Sequence, residues 1–433
     1  MSTVAVVGMG YVGIPIAVLL AHAGHIVIGI QRRSERSGWK IDALNRGECP
    51  IANEPELSEL LQAVRAADTF GVTDDYGAMA IADYILIDVQ TPVDDHHVPQ
   101  YESLKQVCRE VVKYMKLGAV VIVESTVAPR TTLNVVKPIL ESNGWTAGID
   151  FGLAFSYERV MVGKLVKNIR TLPKILGGID EASTNAAKSL YTSVVQAKIL
   201  TTDITTAEVA KTVENAYRDV QIAFANEIAL ICEALKVDVH EVRALVNSLP
   251  DRHMLLPGAG GGGHCLPKDG WLLLSAARSK HKSVIARART INDQMPAHMA
   301  RLTYQAIEDA GVYPHLSTVC VLGYSFIENS DDDRNSPTKT LLDEFETREM
   351  NYVVHDPYVR KEWISQDVDA TIRCADAVVL MTAHDEYKSL TPDYLASLLR
   401  TKVVIDGRNV WKPQDFIGKG FIFKGVGKGK TND

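Results

Sequence analysis

The residues best equipped for chemistry lie in one short stretch, GGGGHCLPKDGW, at positions 260–271. Four glycines run into His264 and Cys265, and Lys268 and Asp269 follow within four residues. A thiol beside cationic groups loses its proton readily and becomes a nucleophile. Bare backbone ahead of it lets a bulky substrate come close. A metal site and a plain structural turn are the competing readings. The six cysteines are Cys49, Cys108, Cys232, Cys265, Cys320 and Cys374. None forms a CxxC pair, and no Cys/His group has zinc-finger spacing, so no metal is expected. Most of these cysteines read as small buried hydrophobes. Only Cys265 falls in a polar, glycine-rich loop.

A second motif says what a nucleophilic thiol would work with. VAVVGMGYVGIP places Gly8, Gly10 and Gly13 directly after an apolar strand and before a helix. The first glycine permits the tight turn, the second lets backbone approach a pyrophosphate, and the third allows close helix–strand packing. A dinucleotide site is the expectation. The next strand should end in an acid for the adenosine ribose. Here it ends in Gln31, followed by Arg32 and Arg33. NAD is the favoured cofactor, and NADP stays open because nothing there repels a 2′-phosphate.

A hydride acceptor and a nucleophilic thiol together suit aldehyde oxidation. The thiol adds to the aldehyde, the thiohemiacetal loses hydride, and water cleaves the thioester to a carboxylate. Lys211 and Asn215 stand four apart on a helical run and share a face, where they can hold a developing oxyanion. Ser125 and Thr126 end a strand, where open α/β sheets bind ligands. Glu158 follows a later strand and is placed to activate or orient water. Each also has a bland reading: surface Lys and Asn, a plain Glu158–Arg159 ion pair, a buried thiol.

The elements that must position these groups follow from periodicity. TVAVVG, HIVIGI, YILIDVQTP, AVVIVEST and DFGLAFS read as strands alternating with helices, which implies parallel βαβ units. A helical run from about Thr205 to Leu235 contains no Gly or Pro; at 1.5 Å per residue it spans about 45 Å. Its apolar positions lie on several faces, so it is expected between domains or across a dimer interface. A helical segment to about Leu249, the glycine loop and more helix to about Ala310 follow. From about Ser317, TVCVLGYSF, NYVVHDP, DAVVLMTAH and KVVIDGRNV begin a second α/β domain. The fold class is therefore α/β, two Rossmann-like parallel-sheet domains joined by a long central helix and a helical segment. The expected domains are 1–200 for NAD(P), 201–312 helical with the Cys loop, and 313–433 for the substrate. The tail from Gly418, ending in Gly and Lys, is expected to fray.

The 433 residues are 46% hydrophobic and 23% charged, with a formal net charge of -7. That is soluble globular composition, and it argues against a nucleic-acid binder. No run of about 18 apolar residues exists to span a membrane. The apolar start lacks the basic lead and cleavage site of a signal peptide, so a cytoplasmic location is expected.

In order along the chain stand GMGYVG, NRGECPIANEPEL, VQTP, ESTVAPRTT, ERVMVG, AEVAKTVENAYRDVQIAFANE, PGAGGGGHCLPKD, INDQMP, LGYSFIENSDDDRNSP, HDPY and IDGRN. On these motifs the whole chain resembles the UDP-glucose/GDP-mannose dehydrogenase family. The resemblance implies oxidation of the C6 alcohol of a nucleotide sugar to a uronic acid, for polysaccharide biosynthesis, with two NAD+ consumed and no aldehyde released. It implies Cys265 as nucleophile, with Lys211, Asn215 and Asp269 around the reacting oxygens and Thr126 and Glu158 in hydrolysis and proton transfer. Tyr11, Val12, Thr91 and Thr126 join Gly8, Gly10, Gly13, Gln31 and Arg32 at the cofactor. Glu158, Arg159, Lys211, Asn215, the loop through Gly258, Gly260 and Gly262, His264, Arg334 and Arg408 contact the sugar or its diphosphate. A homodimer through the central helix is implied as well.

Within the family, GGHC and AYRDVQIAFANE resemble the branch acting on UDP-N-acetylhexosamines. UDP-N-acetylmannosamine ranks first there, with the GlcNAc and GalNAc sugars and UDP-glucose as alternatives. Three positions depart from the family pattern: Ile327 replaces a Lys, Gln31 an acid and Tyr157 a Pro. Two rival functions remain. A single-step hydroxyacid dehydrogenase would need neither Cys265 nor a second α/β domain. A non-catalytic nucleotide-sugar or NAD(P)-binding protein would bind both ligands and turn over neither.

Overall fold

The computed structural model describes residues 1–35, 37–51, 54–277 and 283–431. The chain divides into two compact units. The first comprises Met1–Glu214 and Trp271–Ser279, the second Asn215–Gly270 and Lys280–Asp433. The helix Ile204–Ala234 carries the chain from the first unit into the second.

The first unit is built on strands β1 (Thr3–Val7), β2 (Ile26–Ile30), β3 (Phe70–Thr73), β4 (Tyr84–Ile87), β5 (Val120–Val123), β6 (Gly152–Tyr157), β7 (Lys174–Gly178) and β8 (Ile199–Asp203). Their order in the sheet is β3-β2-β1-β4-β5-β6-β7-β8. The strands read as continuous apolar runs because both faces are covered. Val4, Val6, Leu86, Ile122 and Ala154 pack on one side, and Ala5, Val7, Ile85, Ile87, Val121 and Val123 on the other. The order of the first six strands places a switch point between β1 and β4, and ligands bind outside the carboxyl ends there. The glycine turn leaves β1, Thr91 follows β4, Thr126 follows β5 and Glu158 follows β6.

The sheet is not parallel throughout. β6 and β7 run antiparallel, with Tyr157 opposite Ile175, and β8 is parallel to β7. Apolar runs reveal that a strand exists but not its direction. The reversal brings the first residue of β7, Lys174, to the edge where β5 and β6 end.

One irregular loop of this unit leans on a late segment. His97 has a left-handed backbone, φ 60°. Its ring stacks on the Trp271 indole at 3.8 Å with 2° between the planes.

The second unit holds β9 (Thr318–Leu322), β10 (Asn351–His355), β11 (Ala377–Leu380), β12 (Val403–Asp406) and β13 (Ile422–Gly425). All are parallel, in the order β10-β9-β11-β12-β13. This is the other common doubly wound order, with its switch point between β9 and β11. The segment expected to fray is instead the last strand and its continuation. Lys424 is buried and its Nζ lies 2.9 Å from Asp309. Gly427 N–H donates to Glu233 Oε1 at 2.6 Å, and Lys428 pairs with Asp238 at 3.2 Å. Glycine is required at 427, where φ is +71° and a Cβ would lie 2.2 Å from Val239 Cγ1. Composition suggests a loose end; strand pairing and three polar contacts fix it.

The long helix turns small residues inward: Ala216, Ala223, Ala225, Ala229 and Cys232 are buried. Tyr217, Phe224 and Ile231 stand exposed at seven-residue spacing, with Leu235 just beyond the helix end.

Candidate active site

The first unit's glycine turn fits a dinucleotide for reasons that its own backbone supplies. A Cβ at Gly8 would lie 1.9 Å from Asp88 O, and one at Gly13 would lie 1.9 Å from Gly8 O. A Cβ at Gly10 would meet nothing within 4 Å. Packing therefore demands glycine at the first and third positions. At the second the open space is where a pyrophosphate needs bare backbone. Tyr11 and Val12 complete the turn, and Val12 precedes the helix Gly13–His22, whose N-terminus favours negative charge.

Gln31 is turned onto this glycine turn. Its Oε1 accepts from Met9 N–H at 3.0 Å, and its amide donates to Ser37 Oγ at 3.1 Å. Arg33 is held by Asp74 at 2.9 Å and Asp42 at 3.5 Å. Arg32 is exposed. Thr91 is buried and donates to Thr126 O at 2.5 Å, so the loops after β4 and β5 are tied together. Ser125 serves the same end, accepting from Val89 N–H at 2.8 Å.

Glu158 and Arg159 do not pair with each other. Arg159 binds Glu214, with Nε–Oε1 at 3.0 Å, and donates to Pro173 O at 2.7 Å. Glu158 is buried and its carboxylate meets the Lys174 ammonium. Lys211, also buried, donates from Nζ to the Glu158 carbonyl at 3.0 Å and lies over the Tyr157 ring, 5.1 Å from its centroid. The Tyr157 hydroxyl donates to Glu214 at 2.8 Å. The departure from Pro at 157 thus supplies a ring under Lys211 and a partner for Glu214.

Several buried groups here carry no signal in the sequence. Glu208, one turn before Lys211, accepts from Arg130 N–H at 2.5 Å and Thr132 N–H at 2.8 Å. It fixes the segment that follows Thr126 to the long helix. Burial pushes its carboxyl up to about 7. Asp88 is pushed up to about 8, first by burial and then by Glu124. Lys174 is the residue that sequence reading missed most plainly. A lysine opening an apolar strand, in LPKILGG, is the one cue that could have flagged it.

The second unit assembles the thiol. Cys265 is exposed and immediately precedes the helix Leu266–Ala276, whose first amides return to its carbonyl, Lys268 N at 3.0 Å and Asp269 N at 2.9 Å. A helix N-terminus favours a thiolate. Asp269 is fully buried. It accepts from Asn215 Nδ2 at 2.5 Å and faces Lys268 Nζ at 3.0 Å. Burial, with Lys268 and Arg334 nearby, lowers the His264 imidazole to about 4, so it is neutral at pH 7.

The glycine loop is stitched to the loop after β9. Gly263 N–H donates to Arg334 O at 2.8 Å, and Asn335 Nδ2 donates to Gly263 O at 3.0 Å. A Cβ at Gly262 would lie 2.5 Å from Asn335 O, and one at Gly258 would lie 2.8 Å from Arg408 Nη1. Gly260 has φ +106° against Pro296 and Pro337. Arg408 donates to Met381 O at 2.6 Å and Gly260 O at 3.2 Å, and burial lowers it to about 10. Arg334 grips Asp332 through Nε at 2.8 Å and Nη2 at 2.5 Å. Arg334 and Arg408 leave the carboxyl ends of β9 and β12, beside the switch point.

A glycine turn built for a dinucleotide, on the first of two doubly wound sheets, belongs to an NAD-dependent oxidoreductase. More narrowly, the chain belongs to the UDP-glucose/GDP-mannose dehydrogenase family. It matches the family's NAD binding domain over 2–195, central domain over 205–294 and UDP binding domain over 320–413. It is thus a nucleotide-sugar dehydrogenase. UDP-N-acetyl-D-mannosamine dehydrogenase of Pyrococcus horikoshii is 38% identical over 426 residues, spanning 98% of this chain and 99% of the relative. NDP-N-acetyl-D-galactosaminuronic acid dehydrogenase of Ralstonia nicotianae is 32% identical, over 94% and 96% of the two chains. The solved UDP-D-ManNAc dehydrogenase of P. horikoshii superposes with a TM-score of 0.93, over 99% of this chain and 100% of that one. The solved NDP-N-acetyl-D-galactosaminuronic acid dehydrogenase of Methanosarcina mazei is 42% identical, with a TM-score of 0.88 over 100% and 97%.

Proposed function

We propose that this chain oxidises C6 of a UDP-N-acetylhexosamine, UDP-N-acetylmannosamine first, to the uronic acid through a covalent adduct on Cys265. The observation carrying this reading is an exposed Cys265 followed by the buried Lys268–Asp269 pair that Asn215 joins, in a protein so similar to a UDP-ManNAc dehydrogenase along its whole length. Residues 1–200, 201–312 and 313–433 would carry the cofactor, the thiol loop and the nucleotide sugar respectively.

NAD+ held over the turn of Gly8, Gly10 and Gly13 would supply the hydride acceptor for each of the two oxidation steps. The Cys265 thiolate adds to the C6 aldehyde, and Lys211 and Asn215 donate to the oxygen that gains charge. Asp269 fixes the Asn215 amide through the bond described above. Once the adduct is a thioester, Glu158 takes a proton from the attacking water, with Thr126 nearby in the chain's cofactor-side loops. The C–O bond forms and the C–S bond breaks, returning the electron pair to sulfur. Arg159, His264, Arg334 and Arg408, with the loop through Gly258, Gly260 and Gly262, would hold the sugar and its diphosphate.

The galactosamine-type substrate is the second reading, favoured by the 42% identity to the M. mazei enzyme. The test is reduction of NAD+ and NADP+ against UDP-ManNAc, UDP-GlcNAc, UDP-GalNAc and UDP-glucose, counting reduced cofactor per sugar. Two per sugar with one N-acetylated substrate is the expected result. One per sugar would overturn the four-electron reading, and none with any sugar would bring forward a binding protein.

NAD over NADP is supported by Arg33, whose guanidinium already serves Asp74 and Asp42. Gln31→Asp should raise the NAD+/NADP+ preference about tenfold or more, because the carboxylate repels a 2′-phosphate. An unchanged ratio of kcat/KM values would mean that position 31 does not face the ribose.

A homodimer through the long helix is supported by the exposed Tyr217, Phe224 and Ile231, a stripe too apolar to be left in water. Sedimentation should give twice the 47.5 kDa chain mass. Phe224→Asp should shift it toward one chain, and an unshifted dimer would place the interface elsewhere.

A further inference from the structure

We infer that Lys174 is a positioning residue for the hydrolytic half of the reaction: its buried ammonium is the counter-charge of the Glu158 carboxylate and holds it in one orientation. This rests on the reading of Glu158 as the group that receives the proton of water.

Lys174 and three of its partners come from four different segments, and the reversed strand β7 brings them together. Lys174 is the first residue of β7, Glu124 directly follows β5, Glu158 follows β6, and Tyr191 lies on the helix Glu181–Thr192. The Lys174 side chain is 2% exposed, Glu158 5% and Glu124 0%. The ammonium contacts Glu158 Oε1, lies 3.5 Å from Glu124 Oε1, and sits 4.0 Å from the centroid of the Tyr191 ring. Tyr191 in turn donates to Glu124 Oε1 at 2.6 Å. The other face of Glu158 is fixed too, since its carbonyl accepts from Lys211. One cation is therefore shared between two buried acids, and Asp88 adds a third carboxyl to the same surroundings.

The chemistry makes this more than packing. A buried carboxylate among other carboxyls takes up a proton unless a cation holds it charged. A protonated Glu158 cannot accept the proton of the water that attacks the thioester. In the intact enzyme that proton passes to Glu158, the new C–O bond forms, and Cys265 leaves as thiolate. Lys174 supplies the charge that keeps Glu158 receptive. Glu124 opposes it, by drawing on the same ammonium and adding negative charge beside Glu158.

Two variants of opposite sign test this. Lys174→Met should move the acid limb of the kcat profile upward by about two pH units, lowering kcat by up to about 100-fold on that limb, with KM little changed. Rapid mixing should then show a burst of two NADH per active site before a slow steady state, because hydrolysis has become limiting. Lys174→Arg should recover most of the rate. Glu124→Gln should move the acid limb downward, since Glu158 then has Lys174 to itself. An effect through folding alone would not reverse sign between the two. If Lys174→Met does not fold, the direction of the Glu124→Gln shift decides. Unmoved profiles in a wild-type enzyme that still yields two NADH per sugar would overturn the role of Lys174 and leave the reaction intact. A wild-type enzyme without that stoichiometry would overturn the reaction itself.

Discussion

Cys265→Ser should stop uronic acid formation, lowering the complete four-electron rate by roughly 10³-fold or more while NAD+ still binds. A serine hydroxyl at the head of the Leu266–Ala276 helix keeps the position and nearly the size of the thiol. It does not ionise at neutral pH, and the helix N-terminus and Lys268 cannot make up the difference between an alcohol and a thiol. Cofactor affinity should hold, because the glycine turn belongs to the first unit and Cys265 to the second. Mass spectrometry of the product with a parallel NADH count checks both halves. A variant that still makes acid at a near-normal rate would remove the covalent adduct and leave oxidation of the aldehyde hydrate in its place.

The glycine turn gives the second large effect, and it separates two jobs that one motif performs. Gly13→Ala puts a methyl carbon 1.9 Å from a backbone oxygen of Gly8, which has no room to move. Overpacking of this severity costs about 3 kcal/mol or more, so Tm should fall by roughly 6 °C or more. Gly10→Ala meets nothing within 4 Å. Its Tm without cofactor should match wild type, while NAD+ affinity falls about 100-fold, because the methyl occupies the approach of the pyrophosphate. Calorimetry and NAD+ titration of the two variants distinguish these outcomes. Equal NAD+ affinity in Gly10→Ala would show that the cofactor does not pass over the turn.

What could be read in the sequence was what lies close along the chain. The glycine turn is legible because strand, turn and helix are contiguous within Thr3–His22. Cys265, Lys268 and Asp269 are legible for the same reason. The long helix was readable from its missing Gly and Pro. What stayed hidden depends on distant pairing. The Asn215–Asp269 bond spans 54 positions, and Tyr191 reaches Glu124 across 67. Gln31 was readable as the wrong residue for a ribose, but its bond to Met9 N–H was not. Glu158 and Arg159 looked like partners because they are neighbours. On a strand end, neighbouring side chains point apart, and each found a different partner. The C-terminal tail misled for the opposite reason: its glycines and lysines resemble a loose end, and only a sheet edge elsewhere gives them partners.

The discontinuity of the first unit has a consequence for how the protein is made. The segment through Trp271 that completes it is synthesised only after the chain has left for the second unit at Glu214. At about 5–20 residues per second a ribosome needs roughly 3–13 s to cover that interval. During it the left-handed turn at His97 has no indole to stack on. The cofactor-binding half, although first in the message, is therefore finished late. A fragment cut at Glu214 would lack the Trp271 indole on which the His97 ring stacks.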